Sequence, residues 1–226
     1  MPKQETPVYR GILDLIFCGD RVPGSKLIEE HLASELGVSR VPVRESLARL
    51  VGQGVLVGGK RGEGVRIRDY SADDVRQLYE YREVLEGVSA RAAAQMASPT
   101  DIARLEIICQ QAAECLHGHD HERWNELEQQ FHFALADASH NRRVAPQLKL
   151  LVQECRYIFF GYASPPADSE KSLRFLEKNR RGHIALVDLI KARDADGAEQ
   201  LIRTDMRESA GRVVHLMLTG EFTFDK

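Results

Sequence analysis

Apolar residues in the first third of the chain recur at helical spacing in three short segments. The first segment covers residues 8–17, and the second carries an apolar stripe that ends just before Gly37, where a helix is expected to stop. The third follows Ser39, a candidate N-cap, and its apolar positions are Val43, Leu47 and Leu50. Because about three residues with a glycine separate the second and third helices, the pattern predicts a helix-turn-helix.

Beyond Gly54 the pattern changes to that of β-strands. Residues 55–57 and 65–67 are rich in residues that favour β-strands, and they flank a glycine-rich loop that carries Lys60 and Arg61. Two such runs around a short loop predict a hairpin, or wing. The first domain is therefore expected to be a winged helix-turn-helix over residues 1–70.

From residue 71 to residue 226 the sequence has helical periodicity almost throughout and no β-rich stretch. Helices are predicted at about 71–97, 101–116, 121–139, 142–163, 170–192 and 195–219. Short connections favour antiparallel neighbours. The predicted fold class is mostly α, with an N-terminal winged helix-turn-helix followed by an antiparallel all-helical bundle.

Composition and charge narrow the functional classes. The chain has 226 residues, 43% of them hydrophobic, and no apolar run approaches the roughly 18 residues of a membrane span. Its first residues lack a signal-peptide core, so a cytoplasmic protein without membrane contact is expected. Residues 1–69 hold eleven lysines and arginines against nine acidic residues, whereas the remainder holds 20 against 25. This asymmetry directs an anionic partner to the first domain.

The third predicted helix has the pattern of a DNA recognition helix. Arg40 and Arg44 lie four residues apart on one face, turned away from the apolar stripe. Arginine near the start of such a helix can bond guanine in the major groove with two hydrogen bonds. Ser39 and the amides at the helix start are candidates for a phosphate contact.

Three further cations are candidate DNA contacts. Arg49, one turn beyond Arg44, is better placed for the DNA backbone than for bases, and Lys60 and Arg61 at the wing tip are candidates for a minor groove or phosphates. The alternative for each arginine is a solvated surface charge, or for Arg49 an ion pair with Glu45. Helix, turn, helix and basic wing occur in order within about 55 residues, which favours DNA binding.

The residues around the predicted turn form a dense motif. They are Pro23-Gly24, Leu27, Glu30, Leu32-Ala33, Leu36-Gly37-Val38-Ser39-Arg40-Val41-Pro42-Val43-Arg44-Glu45-Ser46-Leu47, Leu50 and Gly54. This motif strongly resembles the DNA-binding domain of the GntR superfamily.

The second half of the chain is similar to the FCD type of effector domain found in the FadR subfamily. The matching residues are Asp74, Leu78, Tyr79, Arg82, Leu85, Glu86, Phe131-His132, Leu135, Asn141, Gly182-His183-Ile184 and the helix over 198–207. The resemblance implies a homodimer on a short palindromic operator of double-stranded DNA. It also implies that a ligand bound in the bundle changes the affinity for that DNA.

Glu128 and His132 are candidate metal ligands, because side chains four apart on one helix can converge on one ion. The resemblance implies that His183 and Asp205, on later helices, complete the set. Glu128 stands where aspartate is usual in the family, and Asp205 where a histidine is usual. Two histidines and two carboxylates fit zinc, nickel, manganese or iron. The alternative is hydrogen-bonded core histidines, with Asp205 paired to one of them.

Arg82 is expected to face the bundle and to pair with an effector carboxylate, or else to form a structural pair with Glu86. The predicted function is a transcriptional regulator, acting as a repressor, whose operator affinity depends on a small organic acid and a divalent metal. Two alternatives remain: a regulator that senses the metal itself, and a metal-dependent enzyme. Against the enzyme, no nucleophile–base pair is evident and the DNA-binding module would be unexplained.

Overall fold

The structure is a computed structural model that describes residues 6–17, 21, 23–58, 64–118, 120–163 and 170–220. The chain divides into two compact units, Met1–Ser71 and Ala72–Lys226.

The first unit is a small winged helix-turn-helix. Its elements are α1 (Pro7–Phe17), β1 (Lys26–Leu27), α2 (Glu29–Glu35), α3 (Arg40–Gly52), β2 (Leu56–Gly58) and β3 (Val65–Ile67). The strands form an antiparallel sheet in the order β1-β3-β2, with Leu27 opposite Val65 and Leu56 opposite Ile67. The predicted helices and hairpin are confirmed. Strand β1 was not predicted, because two residues are too short for any periodicity.

Burial fixes the orientation of α3. Val43, Leu47 and Leu50 are buried together with Leu32 of α2, and each such side chain contributes roughly 1.5–3 kcal/mol to folding. The turn before α3 depends on Gly37, whose φ of +64° lets the Val38 amide donate to the Ala33 carbonyl at 3.0 Å. The side of α3 opposite the apolar stripe is therefore held toward solvent.

The second unit is a helical bundle. In its described residues the helices are α4 (Ala72–Met96), α5 (Pro99–Gly118), α6 (His121–Ala138), α7 (Val144–Ala163), α8 (Glu170–Lys191) and α9 (Ala195–Thr219). The predicted all-helical architecture is confirmed, with boundaries within a few residues of those expected from the sequence.

Helix α6 runs through the core of this bundle, where Trp124, Leu127, Phe131 and Leu135 are buried. Helices α4 and α9 approach each other closely at Gly87, since a Cβ atom there would lie 2.7 Å from Nε of Arg203. The bundle also holds a group of ionisable residues, which are Arg82 and Glu86 of α4, Glu128 and His132 of α6, His183 of α8 and Asp205 of α9.

Candidate functional site

The exposed side of α3 carries the two arginines predicted to contact DNA. The side chains of Arg40 and Arg44 are 58% and 63% exposed. Both face Glu29 of α2: Arg44 makes hydrogen bonds of 3.0–3.1 Å to it, and Arg40 Nη2 lies 3.7 Å from Oε2. The hydrogen bond from Arg44 holds the pKa of Glu29 below its usual value, so this carboxylate is ionised at neutral pH.

Ser39 is the N-cap residue of α3 by its extended backbone, and its side chain makes no capping hydrogen bond. Its hydroxyl and the first amides of the helix therefore remain candidates for a phosphate.

Arg49 lies on another side of α3. Its guanidinium sits over the Tyr9 ring, 4.2 Å from the centroid, a cation–π geometry that joins α3 to α1. The structure thus gives Arg49 an aromatic contact within this unit, and the ion pair with Glu45 considered from the sequence stays a prediction. Lys60 and Arg61 lie outside the described residues, so their roles stay predictions.

Three of the four predicted metal ligands converge in the bundle. Glu128, His132 and His183 each place one ligand atom within 4.8 Å of the other two. His132 Nε2 is 3.4 Å from Glu128 Oε1, and His183 Nδ1 is 3.7 Å from Glu128 Oε2. Phe131 stacks on the His183 ring with 3.8 Å between centroids, which fixes the plane of that imidazole.

A second carboxylate orients His132 from behind. Nδ1 of His132 lies 2.9 Å from Oε2 of Glu86, and Arg82 donates from Nε to Glu86 Oε1 at 2.9 Å. With the Nδ1 hydrogen donated to Glu86, Nε2 faces Glu128. A histidine held by a carboxylate in this way is typical of metal sites. Arg82 thus forms the structural pair with Glu86 that the sequence left open.

Positive and negative charges alternate along the buried row of side chains that runs from Arg82 through Glu86 and His132 to Glu128. Burial alone would lower the pKa of His132, but the Glu86 carboxylate and the hydrogen bonds to Glu128 and Glu86 outweigh it and raise the pKa to about 9. Burial opposes ionisation of Glu128, yet the two histidines lower its pKa to about 2. Burial lowers the pKa of His183 to about 4, so that imidazole is neutral and keeps a lone pair for a ligand.

Asp205, the fourth predicted ligand, lies on α9. Burial raises the pKa of its carboxyl group. Asp205 lines the same cavity as Glu128 and His132 but is outside the cluster of three converging ligand atoms. The structure therefore brings it to the site without placing it in a coordinating position.

A cavity of about 90 Å³ opens beside the cluster. A single ordered water needs only roughly 10–15 Å³, so there is room for a small molecule. The lining is Tyr79, Arg82, Trp124, Asn125, Glu128, Gln129, His132, Val152, Cys155, Arg156, Phe159, Phe175, Asn179, Asp205, Met206, Ser209, Arg212, Val213 and Leu216. A mainly apolar wall with a few placed polar groups is typical of a ligand site.

The polar wall of this cavity is rich in hydrogen-bond donors. Arg212 lies over the Phe175 ring and donates from Nη2 to Ser209 at 2.7 Å, while Arg156 donates from Nη1 to Gln129 at 2.8 Å. Trp124 is 3% exposed, and its buried Nε1 has no hydrogen-bond partner among the described residues. An unsatisfied buried donor costs roughly 1–3 kcal/mol, which an acceptor on a bound molecule would offset.

Two family models match this chain. The model of the bacterial regulatory proteins of the gntR family matches residues 4–67, and that of the FCD domain matches residues 77–208, more than half of the chain. The chain belongs to the GntR family, with an FCD effector domain. It is a transcriptional regulator of a DNA-binding family, not an enzyme.

Relatives that align with this GntR-family chain over most of their length are named as transcriptional regulators. The HTH-type transcriptional regulator YdhC of Bacillus subtilis is 26% identical over 217 residues, which are 94% of this chain and 92% of YdhC. The HTH-type transcriptional repressor RspR of Escherichia coli is 28% identical over 189 residues, 82% of this chain and 78% of RspR.

Solved structures share the fold of this GntR-family chain. Escherichia coli McbR/YncC aligns with a TM-score of 0.76 at 20% identity, covering 92% of this chain and 95% of McbR. Lar, described with the Listeria monocytogenes agr system, aligns with a TM-score of 0.61 at 23% identity, covering 96% and 99%. Among the described residues, none of the helices has both the length and the apolar character needed to cross a bilayer.

Sequence reasoning located part of the FCD cavity and missed other parts. It paired Glu86 with Arg82 but not with His132, 46 residues away. It also missed Trp124, Arg156 and Arg212, since nothing in the local pattern separates these cavity-lining residues from others on the same helices. In the DNA-binding unit it missed Glu29, whose contact with Arg44 depends on the angle between two helices.

Proposed function

We propose that this regulator binds a palindromic operator and represses transcription. It releases the operator when a small organic acid binds in the FCD cavity beside a divalent metal ion. The observation that carries the proposal is the convergence of Glu128, His132 and His183 at the wall of a cavity lined by arginines. The similarity to RspR, a transcriptional repressor, supports the sign of regulation.

The donor set fits a divalent transition metal. Two imidazoles and a carboxylate are common ligands of zinc, nickel, manganese and iron, whose bonds to them are roughly 2.0–2.2 Å long. Ligand atoms on such an ion lie about 3–3.5 Å apart, close to the 3.4 and 3.7 Å seen here. Glu128, His132 and His183 would hold the ion, with Asp205 available from α9.

Protonated His132 already lies between Glu86 and Glu128 as a cation. A metal ion would replace its Nε2 proton and keep the alternation of charges along the buried row. When bound, the ion supplies a Lewis-acidic position to which an effector carboxylate can coordinate. The protein groups orient that carboxylate by hydrogen bonds from the cavity wall.

The organic acid is inferred from the cavity lining. Arg82 is paired with Glu86 and Arg212 faces Glu208 at 3.6 Å, and the guanidinium groups of Arg156 and Arg212 also line the wall. Guanidinium groups bind carboxylates through paired hydrogen bonds. Phe159, Phe175 and Leu216 offer an apolar surface for the rest of the molecule.

A homodimer completes the proposal. One recognition helix makes too few base contacts for specific binding, and a two-fold operator presents the same half-site twice. Light scattering of the DNA-free protein at micromolar concentration is expected to give twice the mass of the chain. A monomer that binds its operator as a monomer would contradict this part.

The metal is tested by elemental analysis and by thermal melting with and without added zinc or manganese. The double variant His132→Ala, His183→Ala is expected to lose both the bound metal and the metal-dependent rise in Tm. His140→Ala is the matched control, because His140 is an exposed histidine that contacts Asp101 instead. Metal that survives the double variant, or wild-type protein without metal or stabilisation, would reject the metal site.

The effector is tested with the only tryptophan in the chain, Trp124, as an internal probe of the cavity. Small mono- and dicarboxylic acids are titrated into metal-loaded protein while Trp124 emission and the anisotropy of a labelled operator are recorded. An acid that changes both signals supports the proposal. Release of DNA by metal alone, without any acid, would favour the metal-sensing alternative.

A further inference from the structure

Glu29 accepts hydrogen bonds from one edge of the Arg44 guanidinium group. Arg44 Nε lies 3.1 Å from both carboxylate oxygens, and Nη2 lies 3.0 Å from Oε2. A guanidinium has five N–H groups in a rigid plane. The contacts to Glu29 use the edge formed by Nε and one hydrogen of Nη2. Within the described part of the chain, no side chain bonds the edge formed by Nη1 and the second hydrogen of Nη2.

That second edge has the geometry a guanine requires. Guanine presents O6 and N7 side by side in the major groove, and an arginine reads them with two parallel N–H groups. An unrestrained arginine on an exposed helix can turn either edge, or bond a phosphate instead. A carboxylate on the inner edge removes this freedom, because only the outer edge remains for the base.

We propose that Glu29 is a positioning residue for base recognition, which holds Arg44 by its inner edge and directs its outer edge at a guanine of the operator. The inference rests on the proposed recognition role of Arg44. Stabilisation of the fold does not account for this ion pair, because a pair with so exposed an arginine contributes little to the free energy of folding. A carboxylate beside DNA also repels phosphates, so Glu29 lowers sequence-independent affinity while raising discrimination.

The test is selection of preferred sequences from randomised duplexes at fixed salt by wild-type protein, Arg44→Ala and Glu29→Gln. Arg44→Ala is expected to abolish a guanine preference at one position of each half-site. Glu29→Gln is expected to weaken that same preference about tenfold while raising affinity for random duplex. Glu29→Gln combined with Arg44→Ala is expected to lose no more preference than Arg44→Ala.

Glu30→Gln is the matched control, because it removes the same charge from the neighbouring position of α2, where the side chain is exposed. It is expected to raise random-duplex affinity and leave every base preference unchanged. Equal gains on operator and random duplex for Glu29→Gln would overturn the proposal, since Glu29 would then only compete with DNA for Arg44. A guanine preference that survives Glu29→Gln would also overturn it. If Arg44→Ala changes no base preference, the recognition role of Arg44 itself fails.

Discussion

The two clusters of charged residues in this protein are in opposite surroundings. Glu29 and Arg44 meet in solvent, with the arginine side chain 63% exposed. Arg82, Glu86 and His132 meet in the bundle, where Glu86 is fully buried. In water the exposed charges keep most of their hydration, so their pairing contributes little. In the bundle each charge depends on its neighbours, because hydration is lost.

This difference fits the function proposed for each region. A DNA-contacting arginine has to exchange water for a base without a large penalty, and an exposed pair permits that exchange. A ligand site has to present fixed donors, and the contacts from Arg82 to Glu86 to His132 leave one orientation for the imidazole. The comparison therefore predicts large stability effects in the bundle and large recognition effects on α3.

The largest effect is expected for Glu86→Ala. Removing this carboxylate leaves Arg82 as a buried cation without its carboxylate partner and removes the anion that raises the pKa of His132, which destabilises the bundle by about 3–5 kcal/mol. Urea unfolding followed by Trp124 fluorescence measures the change in this unit. Glu80→Ala is the control, since Glu80 is an exposed glutamate of the same helix. If Glu86→Ala lowers the free energy of unfolding no more than Glu80→Ala does, the contrast drawn between the two regions is wrong.

Arg44→Ala tests the other side of the comparison. Operator affinity is expected to fall about 5- to 100-fold while affinity for random duplex and Tm stay close to wild type. Fluorescence anisotropy on both duplexes makes the measurement. Arg21→Ala is the control, because Arg21 is paired with Glu35 of the same unit at 2.5 Å. Equal losses on operator and random duplex would make Arg44 a phosphate contact, and unchanged binding to both would exclude it from the interface.

Much of the fold followed from the sequence because burial is periodic. Val43, Leu47 and Leu50 were expected to form one face of α3, and all three are buried. The same argument located the six bundle helices. Strand β1 could not be predicted from periodicity, since Lys26 and Leu27 form a strand only through pairing with β3. Such pairing is set by the hairpin that arrives about 40 residues later in the chain.

The candidate site was predictable where two residues share a helix. Glu128 and His132 are four apart on α6, and that spacing alone placed them side by side. His183 joined them through the family resemblance. The contact between Glu86 and His132 joins two helices, and the unsatisfied Nε1 of Trp124 depends on the packing around it. Neither leaves a local signal, because both depend on how helices are arranged in space.

Helix α5 begins with a polar contact whose degree of burial is intermediate between those of the two charged clusters. Ser98 donates from its amide and its hydroxyl to Asp101 Oδ2, at 2.9 and 2.6 Å, and accepts from the Asp101 amide at 3.2 Å. This reciprocal arrangement is a capping box, with Pro99 in the first turn. The Asp101 side chain is 23% exposed, so its contribution is expected to lie between those of Glu86 and Glu29.

Asp101→Asn is expected to destabilise the bundle by about 1 kcal/mol at neutral pH. Hydrogen bonds from Ser98 hold the pKa of Asp101 below its ordinary value, with burial opposing and His140 Nε2, 3.0 Å away, adding to the effect. A lowered pKa in the folded state stabilises the fold above the ordinary pKa, about 4, and this stabilisation is lost as pH falls through the lower folded value. Urea unfolding between about pH 7 and pH 3 should therefore bring the wild type and Asp101→Asn together on the acid side. The exposed Asp188→Asn is the control, and a gap between wild type and Asp101→Asn that stays constant with pH would show that the carboxylate charge contributes nothing to the cap.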